Sequence, residues 1–140
     1  MDRVVKKTLS KNDLGLSGSH QAGILIPKEL VKQAFFPVLD EQTQNPCCLI
    51  LVHSEGKEYR FNYIHYNSRV FGTGTRNEYR LTRLSQFFKE NDCSLGDKLV
   101  FSFNVESGKY SLSVERQEVE TVHLKYTTQH PLVIHANWEF

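Results

Sequence analysis

The chain has 140 residues, which is enough for one domain with a buried core and too few for two domains of ordinary size. Its composition, 39% hydrophobic and 24% charged, is typical of a folded protein, and its formal net charge of +1 excludes a uniformly basic nucleic-acid coat. The sequence has neither an apolar run of about 18 residues nor the apolar core of a secretory signal, which predicts a cytoplasmic protein without a transmembrane span.

Alternating patterns, short apolar runs and turn residues predict seven short strands and two short helices. In chain order these are strands over 4–9 and 23–26, a helix over 28–34, strands over 48–53, 58–66 and 79–82, a helix over 84–91, and strands over 98–104 and 110–116. Pro37 is expected to end the first helix, and residues 54–57 are expected to form a hairpin turn.

The C-terminal part of the sequence leaves alternatives open. Residues 119–126 could add one more strand, whereas 127–140 show no clear period. Residues 127–140 are expected to be a terminal strand, a packing tail or the start of a linker. Many short strands with only two small helices predict a mainly β domain over 1–140, built as a compact barrel or sandwich.

Two loops, 10–22 and 67–78, are longer than hairpin connections need, and long loops on small barrels are usually functional or disordered. The distribution of charge along the chain favours a functional role for these loops. The first 83 residues carry 12 Lys and Arg against 8 Asp and Glu, whereas residues 84–140 carry 5 against 8. The first part of the chain therefore predicts an anionic partner, and the remainder is expected to be scaffold.

The side chains of these loops are those that read duplex DNA. Arginine pairs with guanine O6 and N7, Asn or Gln pairs with adenine, and a carboxylate accepts from cytosine N4. Glu78 stands between Arg76 and Arg80, where a surface that only attracts phosphates should exclude a carboxylate. Two interpretations stay open for Glu78: it reads cytosine between two guanine contacts, or it forms an ordinary surface ion pair of little consequence.

Metal binding and catalysis have weaker support. The histidines at 20, 53, 65, 123, 130 and 135 form no paired ligand motif, and the cysteines at 47, 48 and 93 have no metal-ligand spacing, which favours a reduced protein without a metal site. Asp40, Glu55 and Lys57 superficially match the Asp…Glu-x-Lys of metal-dependent nucleases. A minimal nuclease is therefore an alternative, although the predicted turn over 54–57 better explains Glu55 and Lys57.

Two long segments carry a specific resemblance. Residues 7–27, KTLSKNDLGLSGSHQAGILIP, and residues 66–83, YNSRVFGTGTRNEYRLTR, resemble the N-terminal, effector-binding domain of EcoRII-type restriction endonucleases. The resemblance implies a B3-like seven-stranded open pseudobarrel, the fold of plant B3 transcription-factor domains, with two short helices at its ends. It also implies two loop arms, an N-arm and a C-arm, that grip the major groove.

Carried over to this sequence, the resemblance implies base reading by the His-Gln-x-Gly piece and the Arg-Asn-Glu-x-Arg piece. The base-reading residues are expected to be His20, Arg76, Glu78 and Arg80, with Gln21, Asn77 and Tyr79 as helpers. Phosphate contacts are expected from Lys7, Lys11, Ser19, Arg69, Thr75 and Arg83. Three departures from the EcoRII domain put the full recognition sequence in doubt. Leu25 replaces a tyrosine of that domain, Tyr79 replaces a lysine, and the segment Gly72–Thr75 is one residue longer than its counterpart.

The expected function is sequence-specific binding of double-stranded DNA at a C/G-rich site related to CCWGG, the sequence read by the EcoRII domain. The domain itself is expected to be monomeric and non-catalytic, to bind no small-molecule substrate, and to need no cofactor. A nuclease domain using Mg²⁺ is expected to follow in a prokaryotic parent protein. A B3-like transcription regulator and a protein-interaction barrel remain as further alternatives.

Overall fold

The computed structural model describes residues 2–16, 23–117, 134–135 and 137–140. These ranges contain nine strands and two helices. The strands are β1 (Asp2–Thr8), β2 (Ile24–Ile26), β3 (Cys47–Ser54), β4 (Lys57–Tyr66), β5 (Glu78–Thr82), β6 (Lys98–Asn104), β7 (Lys109–Glu115), β8 (Ile134–His135) and β9 (Trp138–Glu139). The helices are α1 (Lys28–Lys32) and α2 (Ser85–Glu90).

The seven strands and two helices predicted from the sequence are all present, each boundary within two residues of its expected place. The expected strand count is too low, because β8 and β9 were not separated from the aperiodic C-terminal stretch. The expected end of the first helix is also wrong. Ala34 has φ 54°, so the chain leaves the helical conformation before it reaches Pro37. The strand considered over 119–126 lies outside the described residues.

One sheet contains all the described strands, in the order β2-β5-β4-β3-β7-β6-β1-β9-β8. Neighbouring strands are antiparallel except β3 and β7, which are parallel. The β3–β4 connection has Glu55 at φ 49° and Gly56 at φ 80°, the two positive values that a two-residue type I′ turn requires. The hairpin turn predicted over 54–57 is therefore confirmed.

The sheet curls until strands from near its two ends meet. Trp138 on β9 is fully buried, and its indole N–H donates to the carbonyl of Leu25 on β2, at 2.9 Å. The indole ring also stacks on Phe101 of β6, with 6.0 Å between ring centroids. Since β2 is one edge of the sheet and β9 is next to the other, this single side chain joins the two sides of an open pseudobarrel.

The core lies inside this curl and is rich in aromatic rings. Every second residue of β4 points inward, including Tyr59, Phe61 and Tyr63. The two helices plug the ends through one fully buried side chain each, Leu30 from α1 and Phe87 from α2. These helices have five and six residues, and no helix in the described part of the chain is long and apolar enough to cross a membrane.

Candidate functional site

The two long connections lead into neighbouring strands at one edge of the sheet, β2 and β5. The N-arm, residues 10–22, leads from β1 to β2 and is described as far as Leu16, while the C-arm, residues 67–77, leads from β4 to β5. β2 pairs antiparallel with β5, with Ile24 opposite Leu81 and Ile26 opposite Tyr79. The Arg80 side chain on β5 donates to the carbonyl of Gly23 at 3.2 Å, which links β5 to the residue that precedes β2.

Side-chain amides hold the base of the C-arm. Asn67 is 1% exposed, and it exchanges two hydrogen bonds with Asn45: each backbone N–H donates to the other residue's Oδ1, at 2.7 and 3.2 Å. The Asn67 amide also donates to the carbonyl of Thr43 at 2.9 Å. These bonds satisfy backbone groups where the sheet ends, and they fix the arm to the segment that precedes β3.

Within the arm the chain folds back on itself. The N–H of Thr73 donates to the carbonyl of Ser68 at 2.9 Å, and the N–H of Arg76 donates to the Ser68 hydroxyl at 3.2 Å. The N–H of Arg69 donates to the carbonyl of Arg76 at 2.9 Å. A Cβ at Gly74 would lie 2.7 Å from the Ser68 hydroxyl oxygen, so that only glycine fits this close approach. The loop therefore holds Arg76 in a defined place.

Arg76, Glu78 and Arg80 form one charge cluster. They alternate along an extended stretch of chain, which brings their side chains to one face. Nη2 of Arg76 donates to Oε2 of Glu78 at 2.8 Å, and Nε of Arg80 donates to the same oxygen at 2.6 Å. The exposed side-chain fractions are 39% for Arg76, 23% for Glu78 and 4% for Arg80, so the cluster runs from the surface into the sheet.

The cluster keeps Glu78 ionised. Partial burial by itself would raise the pKa of Glu78, but the hydrogen bonds and charges of Arg76 and Arg80 outweigh it and lower that pKa. In the conformation that the structure shows, Glu78 forms an ion pair, which agrees with the second interpretation of this residue. A carboxylate can accept about four hydrogen bonds, so two arginine contacts leave capacity for a base amino group. The cytosine-reading role of Glu78 stays a prediction.

Tyr66, the last residue of β4, provides a platform for Arg76. The guanidinium carbon of Arg76 lies 3.8 Å from the centroid of the Tyr66 ring. Nε of Arg76 is buried and has no hydrogen-bond partner among the described residues. Stacking on one side and the ion pair with Glu78 on the other restrict the plane of the guanidinium group.

A second polar network lies at the foot of the arm. His65 is 5% exposed, and its ring lies between Glu41, 2.5 Å from Nδ1, and Asn77, 2.8 Å from Nε2. Tyr79 stacks on the His65 ring, with 3.9 Å between centroids, and donates its hydroxyl to Glu41 at 2.9 Å. Burial, followed by the hydrogen bond to Glu41, raises the pKa of Tyr79 to about 12.

The other predicted contact residues have different surroundings. Lys11, Arg69, Thr75 and Arg83 are exposed, as phosphate contacts require. Lys7 is only 3% exposed, and its amino group lies 2.9 Å from the carboxylate of Asp13. The structure thus gives Lys7 an internal partner. Ser19, His20 and Gln21 lie outside the described residues.

Sequence reasoning missed the network residues Glu41 and His65, the arm anchor Asn67 and the ring platform Tyr66. Tyr66 and Asn67 belong to the segment that carries the resemblance, so their membership of that segment was an available signal. His65 is one of six histidines that form no paired ligand motif in the sequence, so nothing there singles it out. Nothing in the sequence links Glu41 to His65, since 24 residues separate them and the contact depends on the fold.

The residues of the nuclease alternative do not assemble. Glu41 contacts His65, which places Asp40 near the start of β3, whereas Glu55 follows the end of that eight-residue strand. At about 3.3 Å per residue the two ends are roughly 25 Å apart. Lys57 instead pairs with Glu90 on α2. Among the described residues, no three His, Cys, Asp or Glu side chains form a group that could hold a metal ion.

Comparison with known proteins shows the family. The family model described as "Restriction endonuclease EcoRII, N-terminal" matches residues 2–121. The type II restriction enzyme EcoRII of Escherichia coli is 39% identical over 80 residues, which cover 55% of this chain and 20% of that protein. The chain thus spans about a fifth of its curated relative's length.

The fold has a solved counterpart. A chain from the structure described as the Arabidopsis FUS3–DNA complex matches with a TM-score of 0.61 at 17% sequence identity, over 81% of this chain and 96% of the other. At that identity the match shows the fold alone, which is the B3-like open pseudobarrel. The family match over 2–121 is more specific, because it includes both arm segments. This chain belongs to the family of EcoRII restriction endonuclease N-terminal domains.

Proposed function

We propose that this chain binds double-stranded DNA and reads a short C/G-rich site, related to CCWGG, in the major groove. The observation that carries the proposal is the Arg76–Glu78–Arg80 cluster on and beside the C-arm, in which two guanidinium groups share one carboxylate oxygen. The Arg76 guanidinium matches the O6 and N7 acceptors of guanine, and a carboxylate accepts from the N4 amino group of cytosine. Arg80, with 4% of its side chain exposed, must turn away from Glu78 to reach a base in the same way. One cluster therefore suits a C/G-rich sequence.

The carboxylate distinguishes base reading from simple attraction of phosphates. An ionised Glu78 repels the backbone of DNA, so that its presence lowers affinity wherever it makes no specific contact. Its lowered pKa keeps it ionised at neutral pH. Glu78 only accepts hydrogen bonds, and it lies between two arginines that only donate them. This arrangement favours one pattern of base edges over the others, so it increases selectivity and lowers general affinity for DNA.

Phosphate contacts from the exposed residues would set the register of the protein on the duplex. In this proposal the contacts come from Lys11, Arg69, Thr75 and Arg83 in the described ranges, together with Ser19 of the N-arm. Lys7 is left out of the set because its amino group is buried against Asp13. His20 and Gln21, on the N-arm, are proposed to read further bases.

The relatives support DNA as the partner, since one is a restriction enzyme and the structural counterpart is described as a DNA complex. We propose that the domain acts in the bacterial cytoplasm as a monomeric, non-catalytic recognition module that needs no metal or cofactor. Cleavage in the parent enzyme would belong to a separate nuclease domain that uses Mg²⁺.

Arg76→Ala tests the base-reading role. Titration of the variant against a CCWGG duplex and a scrambled duplex, both in EDTA, should show a cognate affinity lowered by roughly 5- to 150-fold, the range for losing a bidentate base contact. Affinity for the scrambled duplex should change much less. Arg60→Ala, which removes an exposed arginine on β4 away from the arms, is the matched control.

Equal losses on the two duplexes would contradict a base-reading role for Arg76. Incubation of the chain with plasmid DNA and Mg²⁺ tests the remaining alternative. We expect no cleavage, because Asp40, Glu55 and Lys57 are not brought together. Cleavage that Lys57→Ala abolishes would overturn this part of the proposal.

A further inference from the structure

The tip of the C-arm exposes two neighbouring apolar side chains. Val70 is 63% exposed and Phe71 is 40% exposed, and neither belongs to the apolar core that the described residues form. They are the only apolar side chains in residues 67–77. Single exposed apolar residues are common and need no explanation. A pair on this arm is different, because the arm is the part of the chain proposed to enter the major groove.

Backbone hydrogen bonds hold the tip in one turn. The N–H groups of Val70 and Phe71 both donate to the carbonyl of Asn67, at 3.0 and 3.3 Å, and the N–H of Gly72 donates to the carbonyl of Arg69 at 3.2 Å. Gly72 has φ 71°, a conformation that glycine adopts without strain. Because the backbone of the tip is already bonded within the arm, its side chains can contact a partner at little cost in ordering.

The surroundings of the tip favour an anionic partner. Residues 67–77 contain Arg69 and Arg76 and no Asp or Glu. The N–H of Arg69 donates to the carbonyl of Arg76 at 2.9 Å, and the Cα of Phe71 is at most about 8 Å from that of Arg69. Neighbouring base pairs are stacked about 3.4 Å apart, so the tip and Arg76 can reach base pairs of the same short site.

Duplex DNA offers one kind of apolar group to such a tip. In the major groove the base edges present hydrogen-bond donors and acceptors, and thymine adds its 5-methyl group, which apolar side chains such as phenylalanine contact. The sequence CCWGG contains thymine only in its central A·T pair. Arg76 and Glu78 suit guanine and cytosine and offer nothing apolar, so the centre of the site needs a different contact.

We propose that Val70 and Phe71 contact the 5-methyl group of the thymine in the central A·T pair, and thereby distinguish that pair from G·C. The inference rests on the proposed function and extends it from the C/G part of the site to its centre. Cytosine in place of this thymine lacks the methyl group and presents an amino group, to which an apolar side chain offers no acceptor.

The test replaces thymine with uracil, which removes the methyl group and keeps every hydrogen-bonding group of the base. The chain is titrated against the CCWGG duplex and against the same duplex with uracil at the centre, both in EDTA. Affinity for the uracil duplex should be about fourfold lower, the value of one buried methyl group. Uracil in place of flanking thymines is the control and should have no effect.

Two outcomes of this titration would overturn the inference. One is a loss confined to a flanking thymine. The other is equal affinity for the thymine and uracil duplexes, which would be expected if the tip were a wedge between base pairs, because a wedge does not need the methyl group.

Variants identify the side chains that sense the methyl group. The double variant Val70→Ala, Phe71→Ala should bind thymine and uracil duplexes equally, whereas Phe71→Leu keeps an apolar side chain and should keep the difference. Since both side chains are exposed, the double variant should unfold at the same denaturant concentration as the parent chain.

Leu51→Ala is the matched control, because Leu51 is 46% exposed on β3, opposite Arg60 and away from the arms. A difference between thymine and uracil that persists in the double variant, or disappears in Leu51→Ala, would contradict the inference.

A second modified base separates the methyl group from thymine itself. With a G·C pair at the centre of the duplex, 5-methylcytosine at that pair should raise affinity about fourfold over cytosine in the parent chain. The double variant should show no gain, and the absence of a gain in the parent chain would contradict a contact with the methyl group.

The same titrations keep this inference distinct from the proposed function. If the chain does not prefer the CCWGG duplex to a scrambled duplex, the proposed function fails. If it has that preference but binds the thymine and uracil duplexes equally, only the inference about the tip fails.

Discussion

Lys7 and Lys11 carry the same charge on the same short stretch of chain, but only Lys11 is exposed. The side chains of Lys7 and Asp13 are 4% and 5% exposed, and together they form a buried ion pair at the root of the N-arm. Removing one partner of such a pair commonly costs about 3–5 kcal/mol, because it leaves a charge buried without compensation. The role of each lysine follows from its burial and not from its position in a basic segment.

Lys11→Ala should weaken binding to all DNA sequences and should lower the salt dependence of the binding constant by about one counterion. The double variant Lys7→Met, Asp13→Leu replaces the buried pair with apolar side chains and should leave the salt dependence unchanged. Titrations at several salt concentrations give both slopes. A lower slope in the double variant would return Lys7 to the phosphate-contact set.

Glu78→Gln removes the charge of Glu78 and keeps its shape. Binding to a scrambled duplex should tighten, because the carboxylate no longer repels phosphates. The ratio of cognate to scrambled affinity should fall at least about fivefold, since cytosine loses an ionised acceptor. Glu55→Gln, in the exposed hairpin turn at the far end of β3, is the control. If selectivity is the same in Glu78→Gln and the parent chain, Glu78 does not read cytosine.

At the scale of the elements, the junction between the N-arm and β2 depends on the backbone of Gly23. Its φ is 80°, and a Cβ at this position would lie 2.2 Å from the carbonyl oxygen of Leu81 on β5. Both the conformation and the close approach exclude a side chain. The carbonyl of Gly23 also accepts a hydrogen bond from Arg80, so this residue links β2 to the charge cluster on β5.

Gly23→Ala should destabilise the chain by about 2–5 kcal/mol, the sum of the left-handed backbone cost and the overlap with Leu81. Gly108→Ala is the matched control. Gly108 has φ 70° but no atom within 4 Å of its Cβ position, so the substitution should cost only about 1–2 kcal/mol. Denaturant unfolding of both variants gives the difference, and equal losses would show that the contact with Leu81 is unimportant.

At the scale of the whole molecule, a sheet with nine described strands curls around one apolar core, and the Trp138 indole adds a hydrogen bond across its opening. Trp138 comes from the last strand, and its hydrogen bond reaches the strand that follows the N-arm. The C-terminal residues 137–140 therefore help to position the arm-bearing edge of the sheet. Local pairing explains each hairpin, whereas this contact joins strands from the two sides of the sheet.

Trp138→Phe should lower the free energy of unfolding by about 2 kcal/mol, through the lost hydrogen bond and the smaller ring. Hydrogen exchange of the β2 amides should accelerate more than that of β4, because β2 loses its contact across the opening. Val105→Ala, at an exposed turn residue, is the control and should change neither quantity appreciably. Uniform acceleration in every strand would show that Trp138 stabilises the core without holding the edge.

The local elements and the family could be predicted from the sequence. Alternation over 58–66, the Glu55–Gly56 turn and the apolar spacing of α2 are each decided by neighbouring residues, and all three appear as predicted. The arm segments are recognisable because many residue types recur there in a fixed order. Arg76, Glu78 and Arg80 were identified as one group because a carboxylate stands between two arginines in the segment that carries the resemblance.

The sequence by itself did not determine the contacts between different segments of the chain. The burial of Lys7, the Glu41–His65–Asn77 network and the reach of Trp138 to Leu25 join residues from 6 to 113 positions apart. The Glu41–His65 and Trp138–Leu25 pairs form only when the curl of the sheet brings their elements together, whereas the Lys7–Asp13 pair depends on the turn that follows β1. The physical reason is that local periodicity states which face a side chain occupies, whereas the partner on that face is chosen by the packing of the whole chain.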